Sequence, residues 1–137
     1  MAAFAVDVSA CMPWRCEDEG TPASEELLRR AGAGDWLHVP SLWPWEIVNA
    51  VSVAARRGRI SASQAADFLG LLSDLSFEIA IGPGIADLPR IYTLAARNRL
   101  TAYDAAYLDL AIRLALPLAT LDSDLKKGAI AERVAVL

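Results

Sequence analysis

Four acidic residues, widely separated along the chain, stand where carboxylates could do chemistry if the fold brings them together. Asp7 interrupts the apolar run Phe4-Ala-Val-Asp7-Val8, and an ionisable side chain is unusual inside a buried strand. Asp122 comes directly after a second apolar run, Leu118–Leu121. Glu46 and Asp104 fall in helical segments. Ligands of open parallel sheets bind beyond the C-terminal ends of the strands, where Asp7 and Asp122 would both lie. Carboxylates gathered within a few ångströms repel one another, and burial disfavours their charged forms. A divalent cation relieves both costs. Magnesium takes oxygen ligands and keeps several waters, and such an ion activates water and polarises a phosphodiester. One ion and two ions are equally compatible with this pattern.

Each acid also has a plain structural use. Asp7 can cap a turn at a strand end. Glu46 suits the first turn of a helix, where the dipole favours a negative charge. Asn49, three residues on, shares its helix face, and Ala50 and Val53 continue that face into apolar territory. Thr101-x-x-Asp104 fits a capping box. Asp122 can cap the helix that follows it, and Asp124, in that helix's first turn, competes with it as an acid of the site. Asp109 lies five residues after Asp104, which turns it roughly 140° away on a helix. It is expected to pair with Arg113 at i+4 on a solvated face. Spacing alone does not choose between these uses.

The elements that would position these residues read as alternating strands and helices. Strands are expected at Phe4–Val8, Trp36–Val39, Phe77–Ile81 and Leu118–Leu121, with Val134–Leu137 as a possible fifth. Ser24 is expected to cap a helix over Glu25–Gly32. Pro40 and Ser41 open a long helix through about Arg57, which Gly58 ends. Ser61-Ala-Ser-Gln64 is a capping box for a helix whose apolar stripe is Ala65, Phe68, Leu69, Leu72 and Leu75. Pro89 suits the first turn of a helix to about Asn98. Thr101–Leu116 is a further helix, with Tyr103, Tyr107, Leu110 and Leu114 as its core stripe, and Pro117 stops it. A short helix spans Asp124–Ala131. This alternation predicts an α/β fold, a three-layer α/β/α sandwich around a parallel sheet of four to five strands, in one domain over residues 1–137.

The chain has 137 residues, 55% of them hydrophobic and 22% charged, a globular composition that argues against disorder. Its net charge of −4 argues mildly against gripping nucleic acid by charge alone. Arg56, Arg57, Arg59, Arg97 and Arg99 could still face phosphates, as could Lys126 and Lys127. Cys11 and Cys16 have no set of partners suited to zinc, since His38 is the sole histidine. Free thiols in a reducing compartment are expected. The apolar N-terminus lacks a basic region, and no run approaches the roughly 18 apolar residues of a membrane span. A cytoplasmic protein with no membrane association is expected. Trp43 and Trp45, beside Pro44 and Glu46, are expected in the core or in a dimer contact, with a groove for a partner segment as a further reading.

The run from Leu100 to Leu125, which contains Tyr103-Asp-Ala-Ala-Tyr107-Leu-Asp-Leu-Ala and Ala119-Thr-Leu-Asp122-Ser-Asp124, resembles the C-terminal signature of PIN-domain toxins of the VapC family. Val6-Asp-Val-Ser-Ala10 resembles that family's first motif. Pro40-Ser-Leu-Trp-Pro-Trp-Glu46-Ile-Val-Asn49 resembles its second, and Arg56-Arg-Gly-Arg-Ile-Ser61 the segment that follows. The match runs over nearly the whole chain and in the family's order. The resemblance implies a PIN-like fold and an endoribonuclease dependent on Mg2+ or Mn2+. It further implies a homodimer and a type II toxin–antitoxin pair in which a cognate VapB-like antitoxin inhibits cleavage of RNA. It carries the catalytic, metal-binding acids to Asp7, Glu46, Asp104 and Asp122, and supporting roles to Ser9, Asn49 and Thr120. Asp124 is an accessory candidate. Arg56, Arg57, Arg59 and Lys126 are the candidates for RNA contact. Asp109 and Asp124 depart from the family's usual residues, and neither departure removes an expected acid. The alternatives are a PIN-like housekeeping nuclease, a metal-binding module without turnover, and a receiver-like domain, which the lack of any lysine after Lys127 disfavours.

Overall fold

The computed structural model describes residues 2–137, and its sheet is built from the expected apolar runs. Strand β1 spans Ala3–Val6, β2 Trp36–Val39, β3 Phe77–Ile79 and β4 Leu118–Ala119. All pairings are parallel, in the order β3-β2-β1-β4. Phe4, Val6, Leu37, Val39 and Leu118 are fully buried, because helices cover both faces of a parallel sheet. The architecture is a three-layer α/β/α sandwich. Helix α6 (Ala102–Leu114) lies on β1, β2 and β4, with α5 (Leu88–Asn98) and α7 (Ser123–Ala131) packed beside it. Helices α1 (Val8–Cys11), α2 (Pro22–Gly32), α3 (Trp43–Arg56) and α4 (Ala62–Ser73) pack against one another. No helix among the described residues is long and apolar enough to cross a membrane.

Strand order fixes where a site can form. The chain leaves β1 toward β2 and β3 on one side, then returns to place β4 on the other. The crevice of such a sheet opens where the order reverses, beyond the strands' C-terminal ends. Here that point lies between β1 and β4, which are followed directly by Asp7 and Thr120.

Several local expectations are corrected. Helix α2 starts at Pro22, with Thr21 as its N-cap, and Ser24 is the third helical residue, completing the capping box from inside. Proline at the first helical position draws the helix start forward, since its missing N–H costs nothing there. Helix α3 likewise begins two residues later than Ser41, with Leu42 as N-cap and Pro44 in its first turn. The box at Ser61 and Gln64 forms as expected, and Gly58, at φ 69°, ends α3 in the left-handed region that glycine tolerates. Val134–Leu137 is no strand. It makes one isolated parallel bridge, Leu118 to Val136, against β4.

The stripe expected on α6 is wrong at both ends. Tyr107 and Leu110 are buried, but Tyr103 is 66% exposed and Leu114 42% exposed. Helix α6 sits between the sheet and two helices, so its middle turns are buried on several faces while its ends emerge. Asp109 is accordingly buried rather than solvated. It pairs with Arg113 as expected, and also with Arg90 of α5. Among the tryptophans, Trp43 is in the core with its ring 4.6 Å from Phe77, whereas Trp45 is 80% exposed.

Candidate functional site

Asp7 is the first residue past β1, and its N–H continues the ladder by donating to Ala119 O at 3.0 Å. That register sets Asp7 beside Thr120. The Thr120 hydroxyl donates to Asp7 Oδ2 at 2.8 Å and accepts the Asp122 N–H at 3.0 Å. The Ser9 hydroxyl donates to the same Asp7 oxygen at 2.6 Å and accepts the Leu121 N–H at 2.9 Å. Each hydroxyl has one proton to give. The two hydroxyls lie 3.1 Å apart, and both stand within donor distance of Asp7 Oδ2, the charged acceptor of the group. Among the described residues Asp7 Oδ1 takes no hydrogen bond, and it is the oxygen left for a ligand. The hydroxyls of Ser9 and Thr120 thus both bond one oxygen of Asp7, and backbone amides of the β4 exit bond them in turn.

Asp122 realises its structural use and leaves room for a second. It is the N-cap of α7, with Oδ2 accepting the Leu125 N–H at 2.8 Å, while Oδ1 is unbonded among the described residues. Close packing holds α7 there: a Cβ on Gly128 would come within 3.2 Å of Leu100 and 3.4 Å of Leu108. Asp104 sits in the first turn of α6. The Thr101 hydroxyl accepts the Asp104 N–H at 3.1 Å, but no return bond from the Asp104 carboxylate to the Thr101 N–H forms. Only half of the expected capping box exists, and the Thr101 hydroxyl is the one group of the helix end that bears on the Asp104 carboxylate. Glu46, in the first turn of α3, accepts a short hydrogen bond from the buried Tyr107 hydroxyl of α6.

Glu46 and Asp104 both lie within reach of neighbouring acidic charges. Burial pushes Glu46 above its ordinary value, and the charges of Asp7 and Asp104 add to it, against an opposing pull from the Tyr107 bond. Burial likewise raises Asp104, followed by the charges of Asp122 and Asp7, against an opposing pull from Thr101, with Asp124 contributing less. All the charges bearing on these two groups are negative. Nearby, burial and then the Asp7 charge push the Cys11 thiol well up, and both cysteines are free.

The contrast with the other shielded acids is sharp. Glu26, Asp87, Asp109 and Glu132 each pair with at least one arginine, and Asp35 accepts the Ala2 N–H. Asp7, Glu46, Asp104 and Asp122 are buried or half-buried, and among the described residues none of them has a cationic partner. Buried charges are ordinarily paired or bound to metal, and an all-carboxylate donor set suits a hard cation. No three acidic, histidine or cysteine side chains among the described residues converge closely enough to enclose one bare ion. Magnesium does not require that, because it keeps several waters and takes one or two carboxylates directly. The donor set fits such an ion on those terms.

The remaining candidates divide. Asn49 is exposed on α3 and makes no hydrogen bond among the described residues. Asp124 is exposed at the start of α7, close enough for its charge to reach Asp104. Lys126 is half-buried on the same helix. Arg56, Arg57 and Arg59 are exposed at the far end of α3, roughly 15 Å from Glu46 at 1.5 Å per residue. They are not neighbours of the acids. Arg97 is committed to an ion pair with Glu132. Tyr107 is the residue that sequence reasoning missed as part of the site. Its burial was legible in the helical period, but the partner of its hydroxyl was not.

A parallel α/β/α sandwich with acids just past β1 and β4 and in the first turns of two helices defines a class, and the PIN-domain family model matches residues 4–131. The chain belongs to the PIN-domain family, within its VapC group. It is 30% identical over 120 residues to Ribonuclease VapC3 of Pyrobaculum aerophilum, covering 88% of this chain and 89% of that protein. It is also similar to the crystal structure of PAE2754 from Pyrobaculum aerophilum, with a TM-score of 0.67, 26% identity, and coverage of 92% of this chain and 84% of that one.

Proposed function

We propose that this protein is a divalent-metal-dependent endoribonuclease acting as the toxin of a type II toxin–antitoxin pair, in a reducing cytoplasm, with residues 1–137 working as one domain. The observation that carries the reading is the set of four shielded carboxylates without a cationic partner, at the switch point of the sheet. Membership of the PIN family and the name of the relative Ribonuclease VapC3 support RNA as the substrate. Asp7, Glu46, Asp104 and Asp122 would hold Mg2+ or Mn2+, with Asp124 at the margin. Once bound, the ion supplies activation of water and neutralises the charge that builds on the phosphate. The chain's own residues do the positioning. Ser9 and Thr120 fix one oxygen of Asp7 and leave the other without a hydrogen bond among the described residues, and the α7 cap does the same for Asp122. Lys126 is the nearest candidate for a flanking phosphate. Arg56, Arg57 and Arg59 would meet RNA only several nucleotides away.

An antitoxin of the VapB kind and a second copy of the chain complete the proposal as partners. Exposed Trp45 and Tyr103 flank Glu46 and Asp104, and apolar surface of this kind beside a site marks an interaction face.

The test is cleavage of total RNA by protein purified free of any partner, in Mg2+ or Mn2+, with EDTA, Asp7→Ala and Asp104→Ala as controls. Discrete fragments are expected. Loss of several kcal/mol of transition-state stabilisation would slow each variant by about 100-fold or more. Cutting that survives both substitutions would place the activity elsewhere. Metal binding without cutting would favour a module that does not turn over. Growth arrest on expression without the antitoxin separates a toxin from a housekeeping nuclease.

A further inference from the structure

We infer that Tyr107 is a positioning residue of the metal site, holding Glu46 so that one carboxylate oxygen is fixed and the other is presented to the ion. The inference rests on the metal-site reading above. Tyr107 and Glu46 are 61 positions apart, on different helices, and are joined by a hydroxyl-to-Oε1 hydrogen bond. Tyr107 is 1% exposed, so its ring is fixed by packing and its hydroxyl has a single direction available. A phenol hydroxyl has one proton to give, and a carboxylate oxygen can only accept it.

Tyr107 lies three residues after Asp104, on the same helical face. Helix α6 thus offers one acid directly and steadies a second, on α3, through a phenol. The pattern matches the treatment of Asp7, where Ser9 and Thr120 bond Oδ2 and Oδ1 takes no hydrogen bond among the described residues. Two acids on two different elements are each held at one oxygen by hydroxyls. Glu46 needs this more than Asp7 does. It has an extra rotatable bond, and among the described residues no other group hydrogen-bonds its carboxylate. A free glutamate beside like charges would swing away toward solvent.

A structural role and a positioning role separate in a double-mutant cycle read by metal affinity. Mn2+ binding to the full chain is measured by calorimetry for wild type, Tyr107→Phe, Glu46→Gln and the double variant, with Tyr103→Phe as the exposed control on the same helix. Partners that orient metal ligands typically contribute about 10–100-fold in affinity. Tyr107→Phe is expected to weaken Mn2+ by at least about tenfold, to lose that effect in the Glu46→Gln background, and to keep the near-ultraviolet circular dichroism of the wild type. Tyr103→Phe is expected to change nothing. Wild-type affinity in Tyr107→Phe overturns the inference, as does an equal loss in the Glu46→Gln background. A Tyr107→Phe chain that does not fold would show that the hydroxyl serves the core, and overturns it too. Absence of Mn2+ binding by the wild type would instead remove the metal-site reading itself.

Discussion

Replacing Thr120 with valine keeps the shape of a fully buried side chain and deletes one hydroxyl. That hydroxyl donates to Asp7 Oδ2 at 2.8 Å, accepts the Asp122 N–H at 3.0 Å and lies 3.1 Å from the Ser9 hydroxyl. The first is a bond to a carboxylate, typically about 1.5–3 kcal/mol, and the second leaves a backbone N–H without a partner at about 1–3 kcal/mol. Ser9 remains on Asp7 and water can reach the half-buried Asp122, so the net loss is expected around and just below the low end of the combined range of about 2.5–6 kcal/mol, at about 2–4 kcal/mol. For 137 residues, an unfolding entropy of about 2.1 cal/mol/K per residue converts this to a Tm lower by roughly 7–14 °C. Metal affinity should fall as well, by about tenfold, because Asp7 loses one of its two fixed donors. Thr120→Ser, which keeps the oxygen, should recover most of the affinity and lose only the packing of a methyl, about 1 kcal/mol. Thermal melts without metal and Mn2+ titrations of the three proteins give both quantities. A valine variant within about 0.5 kcal/mol of wild type and unchanged toward Mn2+ would refute the claim that this hydroxyl holds the site.

Acidity should act on the metal-free and metal-bound protein in opposite directions at Glu46 and Asp104. Both are raised, so their contribution to stability is full at low pH and is lost as pH rises through the raised values. Between neutrality and about pH 4, the wild type without metal should lose less Tm than Glu46→Gln loses, while its Mn2+ affinity falls. A difference of the opposite sign would mean that Glu46 is not raised. Asp109→Ala should cost about 1–3 kcal/mol, modest for a buried ion pair because Arg90 and Arg113 are 46% and 43% exposed and can hydrate. RNA cleavage should persist at the wild-type rate, and its loss would bring Asp109 into the site. Trp45→Ala should leave the stability within about 0.5 kcal/mol of wild type but weaken capture of the cognate antitoxin by about 10-fold or more, as an exposed aromatic anchor does. Unchanged capture would place the antitoxin elsewhere.

The sequence by itself determined the layered fold and most of its elements. Alternating apolar runs and helical periods depend on local pattern, which folding preserves, and the runs around Phe4, Leu37 and Leu118 became the buried strands. The ordered motifs picked out Asp7, Glu46, Asp104 and Asp122. Element ends were less legible. The starts of α2 and α3 shifted with Pro22 and Pro44, and the last apolar segment formed a single bridge in place of a strand. Tertiary structure alone decided which residues meet. Local pattern gives Tyr107 a buried face, but its partner lies 61 positions away and depends on how α3 crosses α6. Asp109 looked like a surface residue because spacing sees its own helix and not α5 packed over it. The arginines at 56, 57 and 59 follow Glu46 closely in sequence, yet the rise of α3 carries them away from the acids. The strand order that places β4 beside β1 sets Thr120 against Asp7, and no residue spacing records it, because pairing between strands more than a hundred positions apart is a property of the folded chain.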